Sequence, residues 1–376
     1  MEPSHYSYLK KGLTSSNAKK FTGDPTDDNE SEAIIGPLLD LLKRGDEEII
    51  LRNEFKNVVM VLGNTGSGKS AFVQWIAGDN SKLVATEVAE KSGEFIIEDN
   101  DRIGDSTIKS KTVFPELITD IGTDTAFYDC PGFSDTRSTS HDIATTYFIK
   151  TVLDYVESTK LIFIINYPSV RKGVERQDFM KLVRHVTDLV KDVDKFRNSI
   201  AIDGSIAIFL QEVKRDLEDR ARFKNAMVHE KEFYASATKL IDALLEKEGE
   251  RYLKLGLFRR PDEPGLLSDI ALLQEEKMHV KFILNETLNF AKKKDDDFGY
   301  TVSENSKIDI CNLVEEINRS VWCDASNMAE KIQKYCRDLV EEIITNIRSL
   351  ITNKGSIERN LSEAKYFHLR LATRIR

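Results

Sequence analysis

From about residue 50 to about residue 290, short apolar runs alternate with helical patterns. Val58, Val59, Met60, Val61 and Leu62 follow one another with no polar position between them, as in a strand covered on both faces. Residues 71–77 read as the helix behind that strand. Residues 125–128, 161–165 and 206–210 read as three more strands, and residues 252–258 as a last one. Residues 178–193 carry apolar positions at helical spacing, and another helix is expected through residues 277–291. Strands buried on both faces and separated by helices predict a three-layer α/β fold with a mainly parallel sheet. Ahead of it, Ile34, Ile35, Leu38, Leu39, Leu41 and Leu42 give an amphipathic helix over 32–44 that docks on the following domain. Residues 84–106, acidic with little core, and 217–250, charged and helical, read as insertions.

After residue 306 the pattern changes. Leu313, Ile317, Val321, Met328, Ile332, Tyr335, Leu339, Ile343, Ile347 and Leu350 recur at steps of mostly three and four among Glu, Lys and Arg. That spacing predicts one long helix with a single apolar seam, packed on the rest of the chain or serving as a dimerising stalk. Three lysines, three aspartates and Gly299 mark a break over 292–299. The expected division is a disordered segment over 1–31, a nucleotide domain with its preceding helix over 32–295, and a helical region over 300–376. Residues 373–376 carry no helix-stop signal, as in a piece of a longer protein.

Composition narrows the function classes. The chain has 376 residues and a formal net charge of -9, which disfavours nucleic acid as the main partner. The four cysteines lie at 130, 311, 323 and 336, with neither C-x-x-C nor zinc spacing, and read as free thiols in a reducing, cytoplasmic setting. No apolar run approaches the ~20 residues that cross a bilayer. No basic amphipathic stretch argues for a membrane surface, although peripheral contact stays open.

The sharpest chemical signal is Gly63-Asn64-Thr65-Gly66-Ser67-Gly68-Lys69-Ser70, a full G-x-x-x-x-G-K-[ST] between a strand and a helix. Glycines let backbone N–H groups approach phosphate oxygens, and the helix amino terminus favours negative charge. Lys69 is expected at the β- and γ-phosphates and Ser70 on Mg2+. The next signal is Asp129-Cys130-Pro131-Gly132 at the end of a strand: an acid that holds magnesium through a water, and a glycine whose N–H meets the γ-phosphate. A threonine between the two elements completes the magnesium shell. Thr107 and Thr112 are the candidates, with Thr112 favoured.

With these residues in place, the sequence resembles P-loop GTPases of the septin-like and immunity-associated (GIMAP-type) branch. The likeness covers about 55–290. It lies in Gly63 through Ser70 with Ala71, in Ser110-Lys111-Thr112, and in Asp129 through Thr136, similar to D-x-P-G-L/F-x-D-T. It implies a GTPase fold, Mg2+, GTP and GDP as ligands, and assembly into a homodimer or higher oligomer. The branch's base-reading motif, N/T-K-x-D after a strand, has its nearest match in Val213-Lys214-Arg215-Asp216. There Lys214 would stack on the base and Asp216 would pair with guanine, while Val213 departs from the pattern. A last guanine loop falls at Ser236-Ala237-Thr238 or at Arg259-Arg260-Pro261. Phe133 stands where many GTPases place a water-orienting glutamine. Slow hydrolysis is therefore expected, helped by Arg137 or by a group from a second subunit. A nucleotide-dependent scaffold with little turnover and an ATP-using P-loop enzyme are the competing readings.

Overall fold

The structure, a computed structural model, describes residues 27–78, 82–98, 112–120, 123, 125–133, 137–166, 176–203, 207–222, 228–352, 362 and 365–366. The chain divides into two compact units, Met1–Asp309 and Ile310–Arg376.

The first unit is built on a sheet whose centre is β1 (Asn57–Gly63), the apolar run ahead of the glycine loop. β5 (Ala126–Asp129) lies parallel to it on one side and β6 (Ser158–Ile164) on the other. Beyond β6 come β7 (Ile200–Asp203) and β10 (Leu255–Gly256), both parallel. Beyond β5 comes β4 (Glu116–Thr119), antiparallel. The order is therefore β10-β7-β6-β1-β5-β4, with β12 (Ala291–Lys292) antiparallel on the start of β6. The order reverses between β1 and β6. In open α/β sheets such a reversal leaves a crevice at the carboxyl ends of the strands.

β1 shows why the fold has three layers. Val58, Met60 and Leu62 enter one core, with Ile149, Leu182, Leu210 and Ile241 from the helices α3 (Thr139–Tyr155), α4 (Gln177–Leu189), α5 (Ala207–Arg222) and α6 (Val228–Leu244). Val59 and Val61 enter the other, with Phe72 and Trp75 of α2 (Lys69–Ile76) and Leu273 and Val280 of α7 (Ala271–Phe282). The mainly parallel three-layer architecture is as the apolar pattern predicts.

The amino-terminal helix α1 runs Asp27–Glu48, so it begins inside the segment expected to be disordered. Its Leu41 packs with Phe114, Ala144 and Phe148. The 84–106 insertion contributes β2 (Val84–Glu87) and β3 (Phe95–Glu98), joined by β11 (Gly265–Leu266) in a small separate sheet. β8 (Lys247–Glu248) and β9 (Arg251–Tyr252) form a hairpin. The long helix α8 spans Glu304–Thr352, and its seam residues Ile317, Val321, Met328, Ile332 and Tyr335 are exposed.

Two sequence expectations are corrected. Residues 207–210 begin helix α5 and are not a strand. A short apolar run does not fix its own period, and here Leu210, Val213 and Leu217 bury one helical stripe. The strand in that place is β7, four buried residues just upstream. The helix expected over 277–291 instead starts at Ala271 and widens into a π-helical turn over Ile283–Thr287, and Ala291 belongs to β12. Lys160, buried in the middle of the sheet, donates its ammonium to the Leu284 carbonyl at 2.5 Å, which gives that turn a physical reason. The stretch 292–299 is held to the first unit: Asp297 pairs with Lys195, and Phe298 packs on Phe196.

Candidate phosphate and cation site

The loop after β1 folds as its sequence dictates. Gly68 sits at φ 92, a left-handed conformation that glycine adopts without a Cβ penalty, and α2 starts at the next residue. Lys69 is buried, and its ammonium folds back to donate to the Asn64 carbonyl at 3.0 Å. The charge thus lies inside the loop's own curve, where a phosphate oxygen would compete with that carbonyl for it.

The strand end of β5 lies alongside. Asp129 is buried, and its Oδ1 has no hydrogen-bond partner among the described residues. Burial pushes its carboxyl up to about 6, opposed by hydrogen bonds from Ser70 and Thr112 and by the Lys69 charge, with Glu116 adding to the rise. The Ser70 and Thr112 hydroxyls lie 3.1 Å apart. The structure therefore brings together all three residues expected around a cation. Two hydroxyls and a carboxylate suit Mg2+, a hard ion that takes oxygen ligands. Two further buried atoms of the loop, Asn64 Oδ1 and Ser67 Oγ, also lack partners among the described residues. Buried polar atoms left this way in one place are what a polar ligand would satisfy. Thr107, the other switch candidate, lies outside the described residues, as do 134–136.

Gly132 and Phe133 close the far side. The Phe133 N–H donates to the Gly63 carbonyl at 3.0 Å, and the Thr65 N–H donates to the Phe133 carbonyl at 3.2 Å. A Cβ on Gly132 would lie 2.5 Å from Thr65 Cα, so only glycine lets the two segments approach this closely. The Phe133 ring is buried and stacks on the His185 ring at 5.0 Å. The sequence reading missed His185 and the tether from the Asn64 amide to the Asp178 carbonyl, 2.9 Å long. A histidine on the same buried face as Phe179, Leu182 and Val186 was the available signal for the first.

The residues expected to read the base lie on a helix. Val213, Lys214 and Asp216 lie inside α5 and do not follow a strand. Val213 is buried, Lys214 pairs with Asp242 at 2.5 Å, and Asp216 pairs with Arg176. Ser236-Ala237-Thr238 is likewise helical, within α6. Arg259-Arg260-Pro261, by contrast, follows β10, the edge strand beside β7. At the end of β7, Asp203 is buried and accepts the Phe258 N–H at 2.6 Å, which fixes the start of that loop. Burial raises its carboxyl to about 7.

A mainly parallel sheet with its order reversed at β1, a glycine loop running into a helix there, and an acid ending the neighbouring strand define the P-loop NTPase fold. No family model matches the chain, and no curated protein matches it. Among solved structures it is similar to SsGBP in complex with GDP, at 12% identity and a TM-score of 0.27, with 66% of this chain and 57% of that chain covered. The chain thus spans little more than half of that structure's length. It is also similar to Toc33 from Arabidopsis thaliana in complex with GDP and Mg2+, at 11% identity and a TM-score of 0.28, covering 69% of this chain and 96% of that one. A structure reported for the chloroplast translocon components atToc33 and psToc159, for whose GTPase activity dimerisation is described as important, matches at 11% identity and a TM-score of 0.29, with 69% and 94% covered. Likeness this distant decides neither family nor function. Among the described residues, no helix is long and apolar enough to cross a membrane.

Proposed function

We propose that the protein binds GTP with Mg2+ and hydrolyses it slowly, in step with self-assembly. The observation that carries this reading is the convergence of Ser70, Thr112 and Asp129 beside the phosphate loop. Three residues far apart in sequence meet at the one place where a triphosphate's cation would lie. Lys69 would exchange the Asn64 carbonyl for phosphate oxygens. The loop N–H groups and the start of α2 would hold the remaining charge. Gly132 would offer its N–H to the terminal phosphate. Magnesium, when bound, would neutralise phosphate charge and orient the oxygens around it.

Guanine over adenine rests on the resemblance of Asp129 through Thr136 to the septin-like and immunity-associated branch. The base would lie at the carboxyl ends of β7 and β10, beside Asp203 and the loop of Arg259, and away from Lys214 and Asp216. The scaffold reading has an observation of its own. Phe133 is buried against His185, so no side chain at that position can orient water. Turnover then depends on Arg137 or on a group from a second copy.

Fluorescent GTP and ATP titrations with Mg2+, on the native protein and on Lys69→Ala, test the reading. GTP is expected to bind more tightly than ATP, and Lys69→Ala to lose both. Equal affinities would remove guanine, and undiminished binding by Lys69→Ala would remove the site. Phosphate release measured over a range of protein concentrations separates the two modes of hydrolysis. A rising specific activity supports assembly-linked turnover, and a constant one rules out a group from a second copy.

A further inference from the structure

The long helix α8 does not begin freely. Ser303, just ahead of it, accepts the Ser306 N–H on its hydroxyl at 3.2 Å and so caps the first turn. Its own N–H donates to Asp142 of α3 at 2.8 Å. The Thr301 N–H donates to the Thr146 hydroxyl, also on α3, at 2.8 Å. The Thr139 hydroxyl at the start of α3 donates to Asp309, and Lys307 pairs with Asp188 of α4 at 3.4 Å. Every one of these contacts lies within the first compact unit.

The same root reaches the phosphate site through one side chain. His185 Nδ1 lies 2.6 Å from the Thr301 hydroxyl, both residues being buried. The other side of that imidazole is stacked on Phe133. Phe133, in turn, is bonded through its backbone to Gly63 and Thr65 of the phosphate loop. A second arm runs along the chain: α3 starts at Thr139, six residues after Phe133, and its first turn holds Asp309. Both arms start from the segment that must sense a terminal phosphate; one ends on Thr301, just ahead of α8, and the other on Asp309, inside its second turn.

We propose that His185 is a positioning residue joining the switch at Gly132–Phe133 to the root of α8, so that the nucleotide bound and the seating of that helix set one another. The inference rests on the phosphate-site reading above. Close-packed aromatic rings transmit a displacement because they leave no void to absorb it. The coupling is reciprocal. Whatever factor the nucleotide imposes on the helix root, a partner engaging the helix imposes on nucleotide affinity.

The test is amide hydrogen exchange over residues 303–309, without nucleotide and with a non-hydrolysable GTP analogue and Mg2+, in the full chain. Binding is confirmed separately by titration. In the native protein the analogue is expected to change exchange at the root by about fivefold or more, the low end of ordinary coupling. Thr301→Val, which removes the hydroxyl that meets His185, should keep the fold and bind the analogue yet lose most of that change. Thr301→Ser should restore it. If Thr301→Val does not fold, Asp309→Ala cuts the other arm and is expected to reduce the response in part. A native protein that binds the analogue with no change at residues 303–309 overturns the inference and leaves the phosphate site standing. A full response in Thr301→Val overturns it too, because the His185–Thr301 contact is then not the link. Absence of binding removes both readings, and the titration shows that the failure lies there.

Discussion

Asp129, His185 and Asp203 are buried groups whose ordinary charge the fold opposes, each through desolvation first. His185 gives the clearest consequence. Burial lowers its folded pKa from 6.5 to about 4, while Asp142, Asp188 and Glu304 pull it up and Lys307 pushes it down. Between those values the unfolded chain takes the proton before the folded one does. Stability from this group is therefore complete above about pH 6.5 and is lost as pH falls toward about 4. Across that window the loss is on the order of 3 kcal/mol. Denaturant midpoints of the native protein and of His185→Gln, measured side by side at several pH values, should differ by an amount that changes steadily as pH falls from about 6.5 toward about 4, with the native protein losing the more. Asp203 acts with the opposite sign, losing stability as pH rises toward about 7. The phosphate loop was legible residue by residue, because each of its residue types answers a separate demand of a phosphate. Thr112 was legible only as one of two candidates, since a loop threonine declares nothing until a fold brings it 3.1 Å from Ser70. His185 was not legible as a joint, because its partners Phe133 and Thr301 lie far from it in sequence.

At the scale of elements, the strands read correctly were those whose apolar run was long or bounded by a motif: β1, β5 and β6. β7 was missed because it has only four residues and a richer apolar run follows within a few positions. Placing the strand at 206–210 then drew the base-reading motif onto Val213 through Asp216. The helix α5 explains those residues without a ligand. Val213 belongs to its buried stripe, while Lys214 and Asp216 form ion pairs on its outer side. Asp216→Ala is accordingly expected to leave GTP and ATP affinities within about twofold of native, since a half-exposed ion pair contributes roughly 0–1 kcal/mol. A selective loss of GTP binding in that variant would return residue 216 to the base site. β4 and the small β2-β3-β11 sheet were not legible at all. Strands of two to four residues carry too few alternations to show a period.

For the whole molecule, α8 is the feature whose apolar surface is out of proportion to its own contacts. Ile317, Val321, Met328 and Ile332 are all exposed along one seam. Contiguous exposed apolar surface of this kind marks an interaction face. A second copy is the partner that assembly-linked hydrolysis requires. Sedimentation velocity of the native chain should show a concentration-dependent dimer or higher oligomer. Ile317→Glu combined with Ile332→Glu should yield a monomer with little change in unfolding temperature, because neither side chain is buried within one chain. A native chain that stays monomeric at every concentration would end the self-assembly reading.

The four thiols divide along the same line. Cys130 is buried at the end of β5, next to Asp129, and burial holds its thiol well above the ordinary range. Cys311, Cys323 and Cys336 are exposed, and all three lie on α8. Reaction with a maleimide or a thiol-titrating dye should therefore occur in two stages. Three equivalents should react quickly while the protein is folded, and the fourth only on denaturation. Fluorophores attached in the first stage would sit on the long helix. The protein thus carries its own reporters of α8, with the buried Cys130 left chemically untouched.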